Sequence, residues 1–218
     1  MTTTSSVAGV NAADVPAKDV HDAALSPRDV PAPAAAGWTS DQPLVVGLDL
    51  SLTSTGICHM RGAQAVTDTI APPPNRQRGL LRLRWLRTEL LALIGHPQLL
   101  VVEGPSYSSF GQGSHDRAGL YWLVLDALWN RGVPVAVAPP ANLKQYATGK
   151  GGGKTASKDA VLLAAARRYP FFAGDNNAAD ALWLAAMGTG YLTGEHVVPV
   201  AHQAALAKVN WPTVARGA

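Results

Sequence analysis

Short apolar runs alternate with longer stretches of helical periodicity along most of this chain. An unbroken apolar run at 44–50 predicts a buried β-strand, and turn residues divide the next segment into short strands near 56–61 and 65–70. Two later apolar runs, at 99–103 and 133–138, predict two more strands. We therefore expect five strands, of which the first three are consecutive and antiparallel.

Helical periodicity is clearest at 76–95, where leucines recur every three or four residues and arginines occupy the positions between them. The leucines of this stripe are Leu80, Leu83, Leu86, Leu90 and Leu93. Weaker patterns predict helices at 116–131, 157–169 and 177–192. The resulting order, β-β-β-α-β-α-β-α-α, predicts an α/β protein that resembles the ribonuclease H-like fold, with a mixed five-stranded sheet flanked by helices. In that fold the first and fourth strands lie side by side.

The chain divides into three parts by composition. Residues 1–42 are rich in Ala, Pro, Asp, Ser and Thr without periodicity, which predicts a disordered N-terminal tail. The folded domain is expected at 43–194, and 195–218 is expected to be a C-terminal extension. The tail carries a net charge of −3, and because the whole chain is +3, the remainder is +6.

Most of the positive charge falls in two stretches. One holds Arg76, Arg78, Arg82, Arg84 and Arg87, and the other holds Lys144, Lys150, Lys154, Lys158, Arg167 and Arg168. Few acids lie near either stretch, which favours a polyanionic partner over solvated helix faces, the plainer alternative.

Several classes of protein are disfavoured. The only cysteine, Cys58, excludes an internal disulfide and suits a reducing compartment. No apolar run approaches the roughly 20 residues that span a bilayer. The N-terminal segment lacks the basic and apolar regions of a secretory signal, so we expect a cytoplasmic protein with no membrane association.

Three carboxylates stand in apolar surroundings. Asp49 lies near the end of the first predicted strand, Glu103 ends the fourth, and Asp180 lies within the last predicted helix. An unpaired buried charge costs several kcal/mol or forces protonation, so two strands that each deliver an acid suggest a shared cation. The alternative is that the strand-end acids cap the turns that follow them.

Two further residues lie close to Asp180 in the sequence. Asn177 precedes it by three residues and shares its helix face. Asp175 is better explained as the N-cap of the same helix.

The loop at 148–155 resembles a nucleotide-binding P-loop only in part. The P-loop pattern requires glycine where this chain has Thr148, and the preceding strand ends about ten residues too early, near Ala138. We therefore expect no nucleotide cofactor.

Taken together, the ordered motifs resemble the RuvC family of Holliday junction resolvases, and its phage and actinobacterial members most of all. The similarity covers about residues 44–192. The motifs that carry it are Gly47-Leu48-Asp49-Leu50-Ser51 with Thr55-Gly56, Val102-Glu103-Gly104, Leu143-Lys144-Gln145 with Thr148-Gly149, Lys158, and Asn177-Ala178-Ala179-Asp180-Ala181-Leu182.

The resemblance implies a homodimer that cuts branched DNA at four-way junctions with Mg²⁺, two ions per active site, for which Mn²⁺ is expected to substitute. Asp49, Glu103 and Asp180 match three of the four catalytic positions of the family. Asn177 stands at the fourth, where the family usually has Asp, and Asp175 is a candidate for the missing carboxylate.

The resemblance also implies DNA contacts. Lys144 and Lys158 match the two DNA-contacting lysines of the family, and the longer loop between them adds Lys150 and Lys154. An aromatic residue shortly after the glutamate stacks on a junction base in the family, and the candidates here are Tyr107 and Phe110. Arg76 and Arg78, from the first basic stretch, complete the expected DNA-binding set.

Three alternatives remain open. The run at 47–51, followed by Thr53 and Thr55, also resembles the first phosphate loop of sugar-kinase and actin-like ATPases, although those proteins need two such domains. Asn177 allows a catalytically inactive module that binds branched DNA. A ribonuclease H-like nuclease that acts on RNA or on flaps is the third.

Overall fold

The computed structural model describes residues 38, 41–76, 78–105, 113–153 and 156–214. A five-stranded sheet in the order β3-β2-β1-β4-β5 forms the centre of the molecule. Its strands are β1 (Val45–Asp49), β2 (Thr55–Arg61), β3 (Gln64–Ile70), β4 (Leu99–Glu103) and β5 (Val135–Ala138).

The pairing of the strands is mixed. Strands β1, β2 and β3 form an antiparallel meander, whereas β4 pairs parallel to β1, and β5 pairs parallel to β4. The predicted five-stranded α/β arrangement is confirmed, including the neighbouring positions of the first and fourth strands.

Helices cover both faces of the sheet. They are α1 (Gly79–Ile94), α2 (Ser114–Asn130), α3 (Pro140–Thr148), α4 (Lys158–Arg168), α5 (Asn176–Thr193) and the short α6 (Val200–Gln203). Helices α1 and α2 pack with the β1 side chains Val46 and Leu48, while α3, α4 and α5 pack with Val45 on the opposite face. Side chains alternate along a strand, so the face that carries Val45 also carries Gly47 and Asp49.

Helix α5 lies unusually close to the sheet. A Cβ atom on Gly47 would stand 2.0 Å from the backbone oxygen of Ala181, and one on Gly56 would stand equally close to that of Asn177. Such distances leave room only for glycine. The two glycines therefore let the backbone of α5 rest directly on β1 and β2.

The sequence pattern missed one helix and misplaced part of another. No helix is predicted between the strand at 133–138 and the helix at 157–169, but α3 begins at Pro140, in the first turn, where proline costs no hydrogen bond. In α1, Leu80 is 63% exposed, whereas Trp85 and Leu91 are buried. The leucine stripe thus indicated the helix correctly and its buried face only in part.

The chain after α5 folds back on the domain. The 3₁₀ helix Ala204–Lys208 follows α6, and Asn142 of α3 donates a buried side-chain hydrogen bond to the carbonyl of Ala205 at 2.6 Å. Trp211 stacks on Tyr191 of α5, with ring centroids 4.2 Å apart. The C-terminal segment is thereby joined to α3 and α5.

The described part of the chain contains no helix that is both long and apolar enough to cross a bilayer. Nearly all of the predicted N-terminal tail, 1–42, lies outside the described residues.

Candidate active site

Two neighbouring parallel strands end in acids at the same edge of the sheet. Leu48 of β1 pairs with Val102 of β4, so the next residue along each strand is Asp49 or Glu103. Asp49 is only 9% exposed, and the two carboxyl groups share a side-chain hydrogen bond. The sheet register therefore brings together two acids that are 54 residues apart in the chain.

The turn after β1 does not need Asp49 as a cap. Thr55 Oγ1 donates to the carbonyl of Ser51 at 2.8 Å and accepts from the backbone N–H of Ser51 at 3.0 Å. Ser51 Oγ in turn accepts from the N–H groups of Thr53 and Ser54. These bonds close the turn, and the carboxyl group of Asp49 is left to face Glu103.

Helix α5 supplies the third acid. Asp180 precedes Ala181, whose backbone oxygen rests against Gly47, so the close packing of α5 on β1 places Asp180 beside the strand-end pair. The negative charge of Asp49 raises the pKa of Asp180, and Asp180 in turn raises that of Glu103. The three predicted carboxylates therefore form one electrostatic cluster.

Burial and mutual repulsion make this cluster reluctant to ionise. Burial is the largest cause for Glu103, whose pKa rises to about 8, and the charges of Asp49 and Asp180 add to it. Burial, followed by the charge of Asp49, raises the pKa of Asp180 to about 7. The pKa of Asp49 is also raised by burial, but Lys158 and the hydrogen bond with Glu103 oppose that shift. The pKa of Glu103 therefore lies above neutral pH, because burial and the two neighbouring charges act together.

The two lysines expected to contact DNA lie close to these acids. Burial raises the pKa of Asp49 and Asp180, and the charge of Lys158, the first residue of α4, opposes that rise. Lys144 of α3 acts in the same direction on Glu103 and Asp180. The structure thus collects five of the residues singled out in the sequence, from β1, β4, α3, α4 and α5.

A cleft of about 470 Å³ opens beside the acids. Asp49, Glu103, Lys158 and Asn177 line it. The opposite wall comes from the first half of α2 and includes Arg117 and Trp122. Sequence reasoning missed these wall residues because nothing in the helical pattern of α2 relates them to strands β1 and β4.

Asn177 and Asp175 have different structural roles. Asn177 lines the cleft, one helical turn before Asp180. Asp175 is the N-cap of α5, and its Oδ1 accepts a hydrogen bond from the N–H of Ala178 at 2.9 Å. The expected cap is confirmed, although the charge of Asp175 still raises the pKa of Asp49 and Asp180.

The remaining predicted DNA-binding residues lie elsewhere. Lys150 is exposed in the loop after α3 and does not line the cleft. Arg76 and Arg78 occupy the turn that leads into α1, also outside the lining of the cleft. Tyr107, Phe110 and Lys154 lie outside the described residues.

The donor chemistry of the cluster suits a hard cation, because its three carboxylates offer the oxygen ligands that Mg²⁺ prefers. Raised pKa values in a buried acid cluster also indicate that the positive charge nearby is too small to keep all three carboxylates ionised. Among the described residues, however, no three His, Cys, Asp or Glu side chains are arranged to hold a metal ion. The Asp49–Glu103 hydrogen bond would have to open before both carboxylates could serve as ligands.

Comparison with known proteins yields structural neighbours only. No family model matches the chain, and no curated protein matches it either. Among solved structures, that of Thermus thermophilus RuvC is similar over 65% of this chain and 90% of the RuvC chain, with a TM-score of 0.52 and 22% sequence identity. The structure of T. thermophilus RuvC in complex with a Holliday junction substrate is similar over 66% and 90% of the two chains, with a TM-score of 0.55 and 22% identity. The chain therefore has a RuvC-like, ribonuclease H-like fold.

Proposed function

We propose that this protein is a Mg²⁺-dependent, structure-selective DNA endonuclease that resolves four-way junctions by paired phosphodiester hydrolysis. The observation that carries the proposal is the convergence of Asp49, Glu103 and Asp180, of which Asp49 and Glu103 line a cleft together with Lys158. The RuvC-like fold supports it, since one of the structural neighbours is bound to a Holliday junction substrate.

Asp49, Glu103 and Asp180 would hold the metal. Mg²⁺ bound at such carboxylates acts as a Lewis acid on a phosphate and lowers the pKa of a bound water, the nucleophile that hydrolysis needs. Asn177 lines the same cleft and offers a neutral carbonyl oxygen as an additional ligand, with no charge. The N-capping bond of Asp175 directs its carboxylate towards the backbone of α5 and argues against Asp175 as a metal ligand.

The cations around the cluster would position the DNA. Lys158 and Lys144 lie on two different helices close to the acids, so a phosphate over the acids would meet positive charge from both lysines. Arg117 on the opposite wall of the cleft presents a guanidinium group, which binds phosphate oxygens in a bidentate manner. These side chains provide salt-sensitive affinity that is independent of sequence.

The outer face of α2 is a candidate surface for the expected homodimer. Trp122 and Trp129 are seven residues apart on one face of this helix, and their side chains are 67% and 82% exposed. Exposed tryptophans are characteristic of interface centres, and the pairing of α2 with its own copy would form an isologous two-fold interface. Because α2 also lines the cleft, such pairing would place one active site on each side of the dimer axis, as paired cuts in a symmetric junction require.

The experiment is a cleavage assay on end-labelled substrates. A synthetic four-way junction, a linear duplex of the same sequence and a flap are incubated with the full chain, with and without Mg²⁺. We expect the junction to be cut at paired positions only with Mg²⁺, and the nicks to be closed by DNA ligase because each carries a 5′ phosphate and a 3′ hydroxyl.

Other outcomes would contradict the proposal in distinct ways. Preferential cutting of the flap would exclude junction selectivity. Tight junction binding without cleavage under any divalent cation would favour the inactive binding module that Asn177 allows. Hydrolysis of ATP without DNA cleavage would favour the ATPase alternative.

A further inference from the structure

A second depression, of about 500 Å³, lies between α3, α4 and α6. We refer to it as the α3–α4 groove. Its residues are Ala147, Thr148, Ala160, Leu163, Ala164, Arg167, Arg168 and His202. The floor is formed by small apolar side chains, and the ionisable residues are two arginines and a histidine. Among the described residues that line it, none is acidic.

The C-terminal segment helps to build this groove. His202 of α6 holds its ring against α3 through a hydrogen bond from Nδ1 to the carbonyl of Tyr146, at 3.0 Å. Arg168 Nη1 donates to the carbonyl of Val197 at 2.6 Å, which orients that guanidinium group from the segment before α6. A Cβ atom on Gly149 would stand 2.6 Å from Nε2 of His202, so the glycine makes room for the ring.

The groove lies close to the candidate active site. Lys144, which acts on Glu103 and Asp180, is one helical turn, or about 6 Å, from Thr148 at the edge of the groove. Along α4, Lys158 in the cleft and Arg167 in the groove are nine residues apart, or about two and a half turns, so the two side chains leave opposite faces of the helix. The shorter link between the candidate active site and the groove therefore runs along α3, from Lys144 to Thr148.

We propose that the α3–α4 groove binds the phosphate backbone of a duplex DNA arm next to the cleavage site, with Arg167 as its principal phosphate contact. This inference rests on the proposed function and adds an arm-binding surface that the C-terminal segment completes. Charge complementarity identifies the occupant, because two guanidinium groups without an acid among the described lining residues match a polyanion. Exposed Leu163, at 50%, lies on the same side and would cover the sugar edge of the strand.

The test measures junction binding without divalent cations, so that cleavage plays no part in it. Affinity of the full chain for a fluorescent four-way junction is determined over a range of salt concentrations for wild type, Arg167→Ala and Arg167→Lys. The matched control is Lys208→Ala, which removes an exposed cation from the C-terminal segment outside the groove. Circular dichroism melting verifies that each variant folds, which we expect because Arg167 is exposed.

We expect Arg167→Ala to weaken junction binding by roughly 3- to 10-fold and to lower the salt slope by about one, as the loss of one phosphate contact requires. Arg167→Lys should retain most of the affinity, and Lys208→Ala should behave as wild type.

An unchanged affinity and salt slope in Arg167→Ala would overturn this inference, and so would an equal loss in the Lys208→Ala control. If the groove binds an acidic polypeptide and not DNA, the junction affinity of Arg167→Ala should equal that of wild type, which would overturn the inference. If wild type binds the junction through Arg167 but never cuts it, the arm-binding surface stands and the nuclease proposal falls. If wild type fails to bind DNA at all, both proposals fall.

Discussion

Asp49 and Glu103 end two adjacent parallel strands, and their carboxyl groups share a hydrogen bond. Burial, and then the charge of Asp49, raises the pKa of Glu103 to about 8, so this arrangement belongs to the metal-free protein at neutral pH. A cation that replaced the shared proton would relieve the repulsion among the three acids.

Replacement of Asp49 should abolish catalysis and spare binding. Asp49→Asn keeps the shape of the side chain but removes the charge that a metal would neutralise, so we expect single-turnover junction cleavage to fall by at least ~10²-fold. Junction affinity should persist, since the phosphate-binding cations are intact. Asp68→Asn, at an exposed position of β3, is the matched control and should cleave normally. Cleavage by Asp49→Asn within a few-fold of wild type would refute the catalytic role of Asp49.

The metal-free protein should become less stable as the pH rises. Glu103 has an ordinary pKa of 4.5 and one of about 8 in the fold, so the folded state holds its proton more tightly than the unfolded state does. Its stabilising contribution is complete below pH 4.5 and is lost as the pH rises towards 8. Asp180, shifted from 3.8 to about 7, acts in the same direction.

Thermal melting in EDTA between pH 4.5 and 8 measures this dependence. Glu103→Gln should reduce the slope and should be more stable than wild type at pH 8, by on the order of 1 kcal/mol. Addition of Mg²⁺ should raise the melting temperature of wild type at pH 8 more than at pH 5, because its ligands must be deprotonated. Stability that is independent of pH in EDTA would show that these acids are not repelling one another.

Gly47→Ala should disrupt the packing of α5 on the sheet. The new methyl group would meet the backbone at Ala181 and Ala185, at 2.0 and 2.5 Å, and backbone atoms cannot rotate away as a side chain does. We expect a loss of about 3 kcal/mol or more of unfolding free energy by urea denaturation. Gly152→Ala is the control, since no atom lies within 4 Å of its Cβ position. Equal stability of the two variants would mean that α5 does not require this close approach.

Substitutions can distinguish the roles of Asp175 and Asn177 as helix cap and metal ligand. Asp175→Asn removes the carboxylate but keeps an N-cap, so stability and cleavage should both stay near wild type, whereas Asp175→Ala should lose about 1 kcal/mol. Asn177→Ala should weaken cleavage modestly and raise the Mg²⁺ concentration at half-maximal rate. Magnesium titrations of the cleavage rate measure both effects. An inactive but stable Asp175→Asn would instead identify Asp175 as a metal ligand.

The oligomeric state should depend on the outer face of α2. Trp129→Glu places a charge at a position that is 82% exposed in the single chain, so we expect a folded monomer where wild type sediments as a dimer. Val200→Glu, at an equally exposed apolar position on α6, should remain dimeric. Analytical ultracentrifugation distinguishes the two. A wild type that sediments as a monomer at all concentrations would contradict the homodimer.

The sequence alone determined the order of the strands, most of the helices and the identity of the acids. Asp49 and Glu103 could be selected because each lies at the end of an apolar strand. A strand of this kind can be recognised from the local sequence, by its apolar run and the alternation of its side chains. The cap at Asp175 is equally local, and it was predicted correctly. Helix α3 was missed because a proline pair reads as a stop, whereas the first turn of a helix tolerates proline.

Only the tertiary structure decided which residues meet. Arg117 and Trp122 reach the cleft because the first half of α2 lies near the ends of β1 and β4, and the helical period of α2 gives no information on that contact. The α3–α4 groove depends on the return of the chain after Gly194, and the contact of α5 with β1 depends on Gly47 lying opposite Ala181. Local periodicity reports which face of an element is apolar, but contacts between distant segments depend on how whole elements pack. That packing placed Asp180 beside Asp49 and Glu103.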